Sequence, residues 1–195
     1  MNICVFLSSS EAVPAKYWDL TRELATAIAQ RGDTLVYGGT KVGLMREIAD
    51  AAQAAGGKVI GVVPEKLREI GYANEACDEV LLTGDLRERK GKMDALADAF
   101  VALPGGLGTL EEVAEVLSLK YLRYHQKPVI FLNHEGFYDG LFQWWEKLYD
   151  ERFTKRAMAQ LYAAVPSVEA MYAYLDRYEP VTVEEKWYDR TTDAI

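Results

Sequence analysis

Cysteine, histidine, long hydrophobic runs and excess positive charge are all scarce in this sequence, and each shortage removes a class of protein. The only cysteines among 195 residues are Cys4 and Cys77, too few for a disulfide framework and not at the Cys-x-x-Cys spacing of zinc or redox sites. Both are expected as reduced thiols of a cytoplasmic protein. His125 and His134 have no cysteine or further histidine beside them and are expected in solvated loops, not around a metal. No apolar run approaches the roughly 18 residues needed to span a bilayer, and the start, MNICVFLSSS, lacks the basic stretch and long apolar segment of a secretory signal. Lys plus Arg number 22 against 30 Asp plus Glu, a formal net charge of -8, which repels a nucleic-acid backbone and argues against a dedicated DNA or RNA binder. A small anion is still admissible, since it needs only a local group of donors.

Half of the residues are hydrophobic (50%), and a chain this long can bury roughly 70% of its unfolded surface in one core, so neither a disulfide nor a metal is required for folding. No repeat, low-complexity tract or Pro/Ser-rich linker divides the chain. One domain is expected over residues 1–180, followed by a polar, acidic and loosely ordered tail, 181–195.

Short β-rich runs alternate with segments of helical period, the pattern of βα units around a mostly parallel sheet with helices on both faces. The expected strands are 3–7, 34–37, 58–63, 80–83, 99–103 and 129–132, all continuous apolar runs suited to a doubly covered sheet. Long helices are expected over 14–32, 42–55, 85–98, 109–123, 137–151 and 167–178, with a shorter one around 155–163. Residues 64–78 have no clear period and read as a functional loop or lid. The aromatic load, 4 Trp and 12 Tyr, is high, and Tyr121, Tyr124, Trp144, Trp145 and Tyr149 are more than one helix face each can bury, which points to self-association.

Two glycine-rich turns follow expected strands and open expected helices: Tyr37-Gly38-Gly39-Thr40-Lys41-Val42-Gly43 and Leu103-Pro104-Gly105-Gly106-Leu107-Gly108-Thr109. Glycine permits close backbone approach, and the free N–H groups and dipole of a helix start favour an anion. One such turn is ordinary steric punctuation; two on the carboxyl edge of one parallel sheet can share a ligand. Neither matches the GxGxxG dinucleotide turn or the GxxxxGK[ST] triphosphate loop, so a single phosphate on a small ligand fits better than NAD or ATP. Gly39, Thr40, Gly43, Gly106, Gly108 and Thr109 form the expected phosphate cradle.

The run Pro104 to Glu112 resembles the PGGxGTxxE signature of the LOG family, the cytokinin riboside 5'-monophosphate phosphoribohydrolases. Ser9-Ser10, Tyr37-Gly38-Gly39 with Val42-Gly43-Leu44-Met45, and Arg89-Lys90 with Met93 occur in the same order, so the resemblance extends over about residues 2–178. It implies a Rossmann-like homodimer that hydrolyses the N-glycosidic bond of a nucleoside 5'-monophosphate, AMP or an N6-substituted relative, with no metal or organic cofactor. By the resemblance Glu112 is the catalytic carboxylate, Arg89 its catalytic partner and Lys90 a ligand contact, while Ser9, Gly105 and Met93 complete the expected substrate contacts. Departures from the family pattern are Thr40, Arg46, the Leu7-Ser8 strand end, Leu119 and Tyr121, which bear on base preference more than on the reaction.

The chemistry of glycosidic cleavage asks for a phosphate anchor, a carboxylate near the sugar carbon to stabilise oxocarbenium-like charge or orient water, and electrostatic help that a guanidinium supplies better than proton donation. Each residue also has a purely structural explanation. Thr109 and Glu112 have capping-box spacing, Arg89 and Lys90 lie four residues from Asp85 and Asp94 as in a solvated ion-paired helix face, Ser9 suits a helix cap, and Met93 suits a core. The alternative function is a non-catalytic carrier of a nucleotide or phosphorylated cofactor. Lysine decarboxylation, a label also attached to this family, would call for a lysine holding pyridoxal phosphate, and no segment announces one.

Overall fold

A computed structural model describes residues 1–181 and 183. Along the chain β1 (Asn2–Phe6), α1 (Ala15–Gln30), β2 (Thr34–Tyr37) and α2 (Gly43–Ala54) are followed by β3 (Lys58–Pro64), α3 (Glu65–Glu69), β4 (Glu79–Thr83) and α4 (Leu86–Leu96). Next come β5 (Ala99–Ala102), α5 (Leu107–Tyr121), β6 (Val129–Leu132), α6 (Asp139–Asp150), β7 (Ala163–Val165) and α7 (Val168–Leu175). Short 3-10 turns occupy His134–Gly136 and Arg156–Leu161.

The strands form one seven-stranded sheet in the order β4-β3-β2-β1-β5-β6-β7, and every pairing is parallel. Strand β1 is central, with Cys4 registered against Val36 on one side and Phe100 on the other. Its side chains alternate between two apolar layers. Ile3, Val5 and Leu7 pack with Leu24 of α1, Ile48 of α2 and Met171 of α7. Cys4 and Phe6 pack with Met93 of α4, Val113 of α5 and Trp145 of α6. A strand buried on both faces needs no polar alternation, which is why these strands read as unbroken apolar runs.

This topology determines where a ligand can sit. The chain steps outward from β1 through β2, β3 and β4, then crosses back to lay β5 on the other flank of β1. Strand order therefore reverses between β1 and β5, and a crevice opens at their carboxyl ends. The glycine turns after β2 and β5 flank that crevice.

The α/β architecture of the sequence reading holds, and at five points the structure departs from that reading or adds to it. The segment expected as a helix up to residue 163 is instead a 3-10 turn followed by β7, whose Ala163 pairs with Ile130 of β6. So short an Ala-Ala-Val run carries no strand period, and only the open edge of β6 makes it a strand. Within 64–78, α3 forms, and the rest is pinned to the β2 turn by Lys41 N–H to Tyr72 O at 2.9 Å and Asn74 N–H to Gly39 O at 2.8 Å. His125 is half-buried, not solvated: its Nε2 lies 2.9 Å from Val116 O, its ring packs on Phe100, and desolvation lowers its pKa. Of the aromatics expected to exceed the helix faces, Tyr121, Trp145 and Tyr149 are buried, whereas Tyr124 and Trp144 are exposed. The expected tail lies outside the described residues except at 181 and 183, and Val183 is buried in the layer beneath α5 and α6, its carbonyl accepting from Arg123 at 2.9 Å.

Gly43 begins α2 at φ +53°, and a Cβ there would stand 2.4 Å from the Ser9 carbonyl carbon and oxygen. This close approach brings the α2 start against the end of β1. Gly43→Ala combines left-handed strain with a backbone clash and is expected to cost about 2 kcal/mol or more, lowering Tm by about 4–8 °C in a thermal melt. A melt unchanged within a degree would show that the contact is not needed.

Candidate active site

Helix α4 starts where β4 ends and α5 starts where β5 ends, so both present their first turns at the carboxyl edge of the sheet. Asp85 fixes the start of α4: its carboxylate accepts from the N–H groups of Arg87 and Glu88, both at 2.8 Å. Glu88 reaches back to accept from Gly84 N–H at 2.7 Å, completing a reciprocal cap. Asp85 is thus occupied by the backbone and is not the ion partner of Arg89. Arg89, one turn in, donates Nε to Val62 O at 3.2 Å and places Nη1 3.2 Å from Glu112 Oε1.

Gly106 caps α5, so Leu107, Gly108 and Thr109 are its first three residues and Glu112 stands in its second turn. The capping-box explanation of Thr109 and Glu112 fails for that reason: the helix begins before Thr109, and Glu112 is left to face Arg89. The ion-paired helix face fails as well, because Lys90 bonds Glu111 and Glu115 of α5, not Asp94.

A cavity of about 320 Å³ opens between these helix starts and the end of β1, lined by Leu7, Ser8, Ser9, Met45, Arg89, Gly106, Leu107, Gly108, Thr109 and Glu112. Its floor is charged and nearly dry, with Arg89 and Glu112 side chains 12% and 10% exposed. Burial pushes the Glu112 carboxyl above the ordinary glutamate value, and the neighbouring Arg89 guanidinium opposes that push. The first N–H groups of α5 have no intrahelical partner, and with the helix dipole they favour an anion at the helix start, one turn before the acid. One cavity therefore offers an anion site, hydroxyls, a fixed guanidinium and a buried carboxylate.

Six of the residues singled out in the sequence line this cavity: Ser9, Arg89, Gly106, Gly108, Thr109 and Glu112. The others stand behind it. Gly105 lies beneath the Thr109 side chain, and Gly39 rests against β3 with its carbonyl bonded to Asn74. Thr40 is buried, its Oγ1 donating to Met45 Sδ at 3.1 Å, and Gly43 abuts Ser9. The β2 turn thus buttresses the cavity through Met45, while the β5 turn lines it directly. Met93 is 1% exposed within the core layer, and Lys90 lies on the far side of Glu112, bordering a smaller cavity.

Ser8, Met45, Leu107 and Leu7 line the cavity without having been singled out as contacts. Their position at a strand end or helix start was visible, but not their direction. Gly38 was missed for a clearer reason: a Cβ on it would come within 1.7 Å of Arg89 Nη2 and 2.5 Å of Met45 Cε. Gly38 keeps open the space the guanidinium occupies, a constraint set by a helix distant in sequence.

Two other features lie nearby. Cys4 lies under the site, but burial raises its thiol pKa well above the usual value, leaving it protonated. A larger and more open cavity of about 570 Å³ between α3 and the start of α4, lined by Pro64, Lys66, Leu67, Gly84, Asp85, Leu86 and Arg87, has its one carboxylate committed to the helix cap. No group of three or more His, Cys, Asp or Glu set to hold a metal occurs among the described residues.

Residues 45–175 match the family model described as "Possible lysine decarboxylase". The cytokinin riboside 5'-monophosphate phosphoribohydrolase LOG2 of Arabidopsis thaliana is 38% identical over 197 residues, covering 100% of this chain and 92% of the relative. The probable cytokinin riboside 5'-monophosphate phosphoribohydrolase LOGL9 of Oryza sativa subsp. japonica is 41% identical over 180 residues, covering 92% and 79%. Among solved structures, the molybdenum cofactor carrier protein of Chlamydomonas reinhardtii superposes with a TM-score of 0.68 at 26% identity, covering 90% of this chain and 96% of that one. The molybdenum cofactor binding protein of Rippkaea orientalis does so with a TM-score of 0.68 at 25% identity, covering 90% and 94%. With a buried Arg89–Glu112 pair beside the PGGxGTxxE turn, and relatives of 38% and 41% identity matched over 92% and 79% of their own length, the chain belongs to the LOG family, whose family model carries the lysine decarboxylase description.

Proposed function

We propose that this protein hydrolyses the N-glycosidic bond of a nucleoside 5'-monophosphate, AMP or an N6-substituted cytokinin riboside 5'-monophosphate, releasing the free base and ribose 5-phosphate. The observation that carries the proposal is the Arg89–Glu112 pair, 3.2 Å apart, lining the same cavity as the first turn of α5. The names of the curated relatives support the substrate class.

The phosphate takes the α5 start, where the backbone N–H groups of Leu107 to Thr109, the Thr109 hydroxyl and the Ser8 and Ser9 hydroxyls provide donors. A ligand anchored there extends its ribose toward Glu112. As the bond between C1′ and the base nitrogen breaks, positive charge develops on the sugar, and the buried carboxylate stabilises it more strongly than an exposed one would. Glu112 also orients the attacking water, whose oxygen bonds to C1′. Of the two protons of that water, one remains on the new sugar hydroxyl and one balances the departing base. Arg89 is too basic to donate a proton. It holds Glu112 in line and stabilises charge, and Val62 O and the gap at Gly38 keep it in place.

The second reading, a non-catalytic carrier of a phosphorylated cofactor, is favoured by the structural likeness to the molybdenum cofactor carrier proteins. A cradle alone gives no reason to bury a carboxylate against a guanidinium, so hydrolysis is the better account. We further infer a cytoplasmic homodimer, for which the exposed Tyr124 and Trp144 provide apolar surface; light scattering tests the dimer.

Incubation with AMP and with isopentenyladenosine monophosphate is expected to release free base on a chromatogram. Thermal stabilisation by nucleotides without base release would favour the carrier. Glu112→Gln is expected to lower kcat by about 10²–10⁴, and Arg89→Ala by about 10²–10³, with the fold retained. Gly38→Ala should reproduce most of the Arg89→Ala loss with little change in Tm, because the clash is with the end of a flexible side chain; wild-type activity would refute the packing argument. Since the active form of Glu112 is ionised and burial raises its pKa, kcat/KM should fall with decreasing pH through a midpoint above the ordinary glutamate range.

A further inference from the structure

Glu112 has a second side. Behind it, away from the substrate cavity, lies a cavity of about 30 Å³ between α4 and α5, bordered by Phe6, Lys90, Asp94, Glu112, Glu115 and Leu119. Lys90 reaches across from α4, and its Nζ is bonded by both Glu111 and Glu115. Its side chain is 15% exposed, against 54% for Glu111 and 40% for Glu115, so the cation lies inward of the carboxylates that hold it.

This arrangement answers an electrostatic problem of α5. Glu111, Glu112 and Glu115 fall within five consecutive positions of one helix, where like charges three and four apart repel, and Glu112 is also buried. Both effects favour a proton on Glu112 and would remove the charge the proposed reaction uses. Two cations oppose them. Arg89 meets Glu112 from the substrate side, and Lys90 stands on the other.

We propose that Lys90 is a positioning residue for Glu112 and that Glu115 tempers it: Glu111 and Glu115 hold the Lys90 ammonium behind the carboxylate, where its charge keeps Glu112 ionised and facing the substrate, and Glu115 partly neutralises that ammonium while Glu111 by itself still anchors it. The role rests on the hydrolytic function of Glu112 proposed above and assigns Lys90 and Glu115 no contact with substrate. The charged and titratable groups facing Glu112 are Arg89, Lys90 and Asp94 from α4, Glu111 and Glu115 from its own helix, and the buried Cys4 thiol from β1. Among them Lys90 lowers and Glu111 raises the Glu112 carboxyl pKa, as their signs require. Glu115 carries the same charge as Glu111, so Lys90 and Glu115 are expected to act on Glu112 in opposite directions. Loss of the lysine removes stabilising charge, whereas loss of Glu115 leaves the lysine less neutralised.

The test is a titration of the Glu112 side-chain carboxyl by carbon-13 NMR in the free, full-length protein, its resonance assigned by its disappearance in Glu112→Gln. Lys90→Met is expected to move the midpoint to higher pH and Glu115→Gln to lower pH, with Lys90→Arg restoring the wild-type value. The acidic limb of kcat/KM should follow in the same directions, while a merely structural salt bridge would alter Tm and leave the midpoint in place. Unmoved midpoints, or midpoints that move the same way in both variants, overturn the coupling. Midpoints that move as stated in a protein that releases no base from any monophosphate instead overturn the hydrolytic reading on which the role rests.

Discussion

A carboxylate buried beside a guanidinium at the carboxyl edge of a parallel sheet is the interaction on which the functional architecture depends. Taking either charge out of water is costly, and the cost is tolerable only where a partner and hydrogen bonds are fixed in advance. The fold provides that fixation by separate means. Asp85 and Glu88 set where α4 begins, Val62 O holds the Arg89 Nε, and Gly106 starts α5 early enough to place Glu112 in its second turn. The sheet then brings the two helices together over β1. Each of these supports is ordinary backbone chemistry, and together they hold opposite charges at 3.2 Å next to an anion-favouring helix start.

The two glycine turns prove unequal. The β5 turn lines the cavity, whereas the β2 turn is stitched to residues 72–74, carries Thr40 against Met45, and leaves room at Gly38 for the guanidinium. One turn is suited to ligand contact and the other to holding the Arg89–Glu112 pair in position. The same division separates Arg89 from Lys90. They are adjacent in sequence, yet one faces the cavity and the other faces two glutamates of α5, so that Glu112 is flanked by a cation on either side.

Much of the fold was legible because a doubly covered parallel sheet demands continuous apolar strands, and the β2 and β6 runs coincide with the expected 34–37 and 129–132. The residues of the candidate site were legible as letters: Pro104 to Glu112 and Arg89-Lys90 form patterns that survive without coordinates. Neither direction nor burial could be read in the same way. Thr109 to Glu112 has the spacing of a cap but lies inside the helix, and Met93 has the company of a ligand residue but lies in the core. The β7 strand is too short to carry a period, and the constraint on Gly38 arises from a side chain on another element.

The sequence by itself determined the α/β class, the two glycine turns at helix starts, and the presence of one acid and one guanidinium in a family pattern, because these depend on local period, local backbone freedom and residue identity. Only the tertiary structure decided which turn meets the cavity, which neighbour of the Arg89-Lys90 pair turns inward, and how far Glu112 is desolvated. Those outcomes depend on distances between elements remote in the chain. The pairing register and order of the strands set such distances, and no local pattern encodes them.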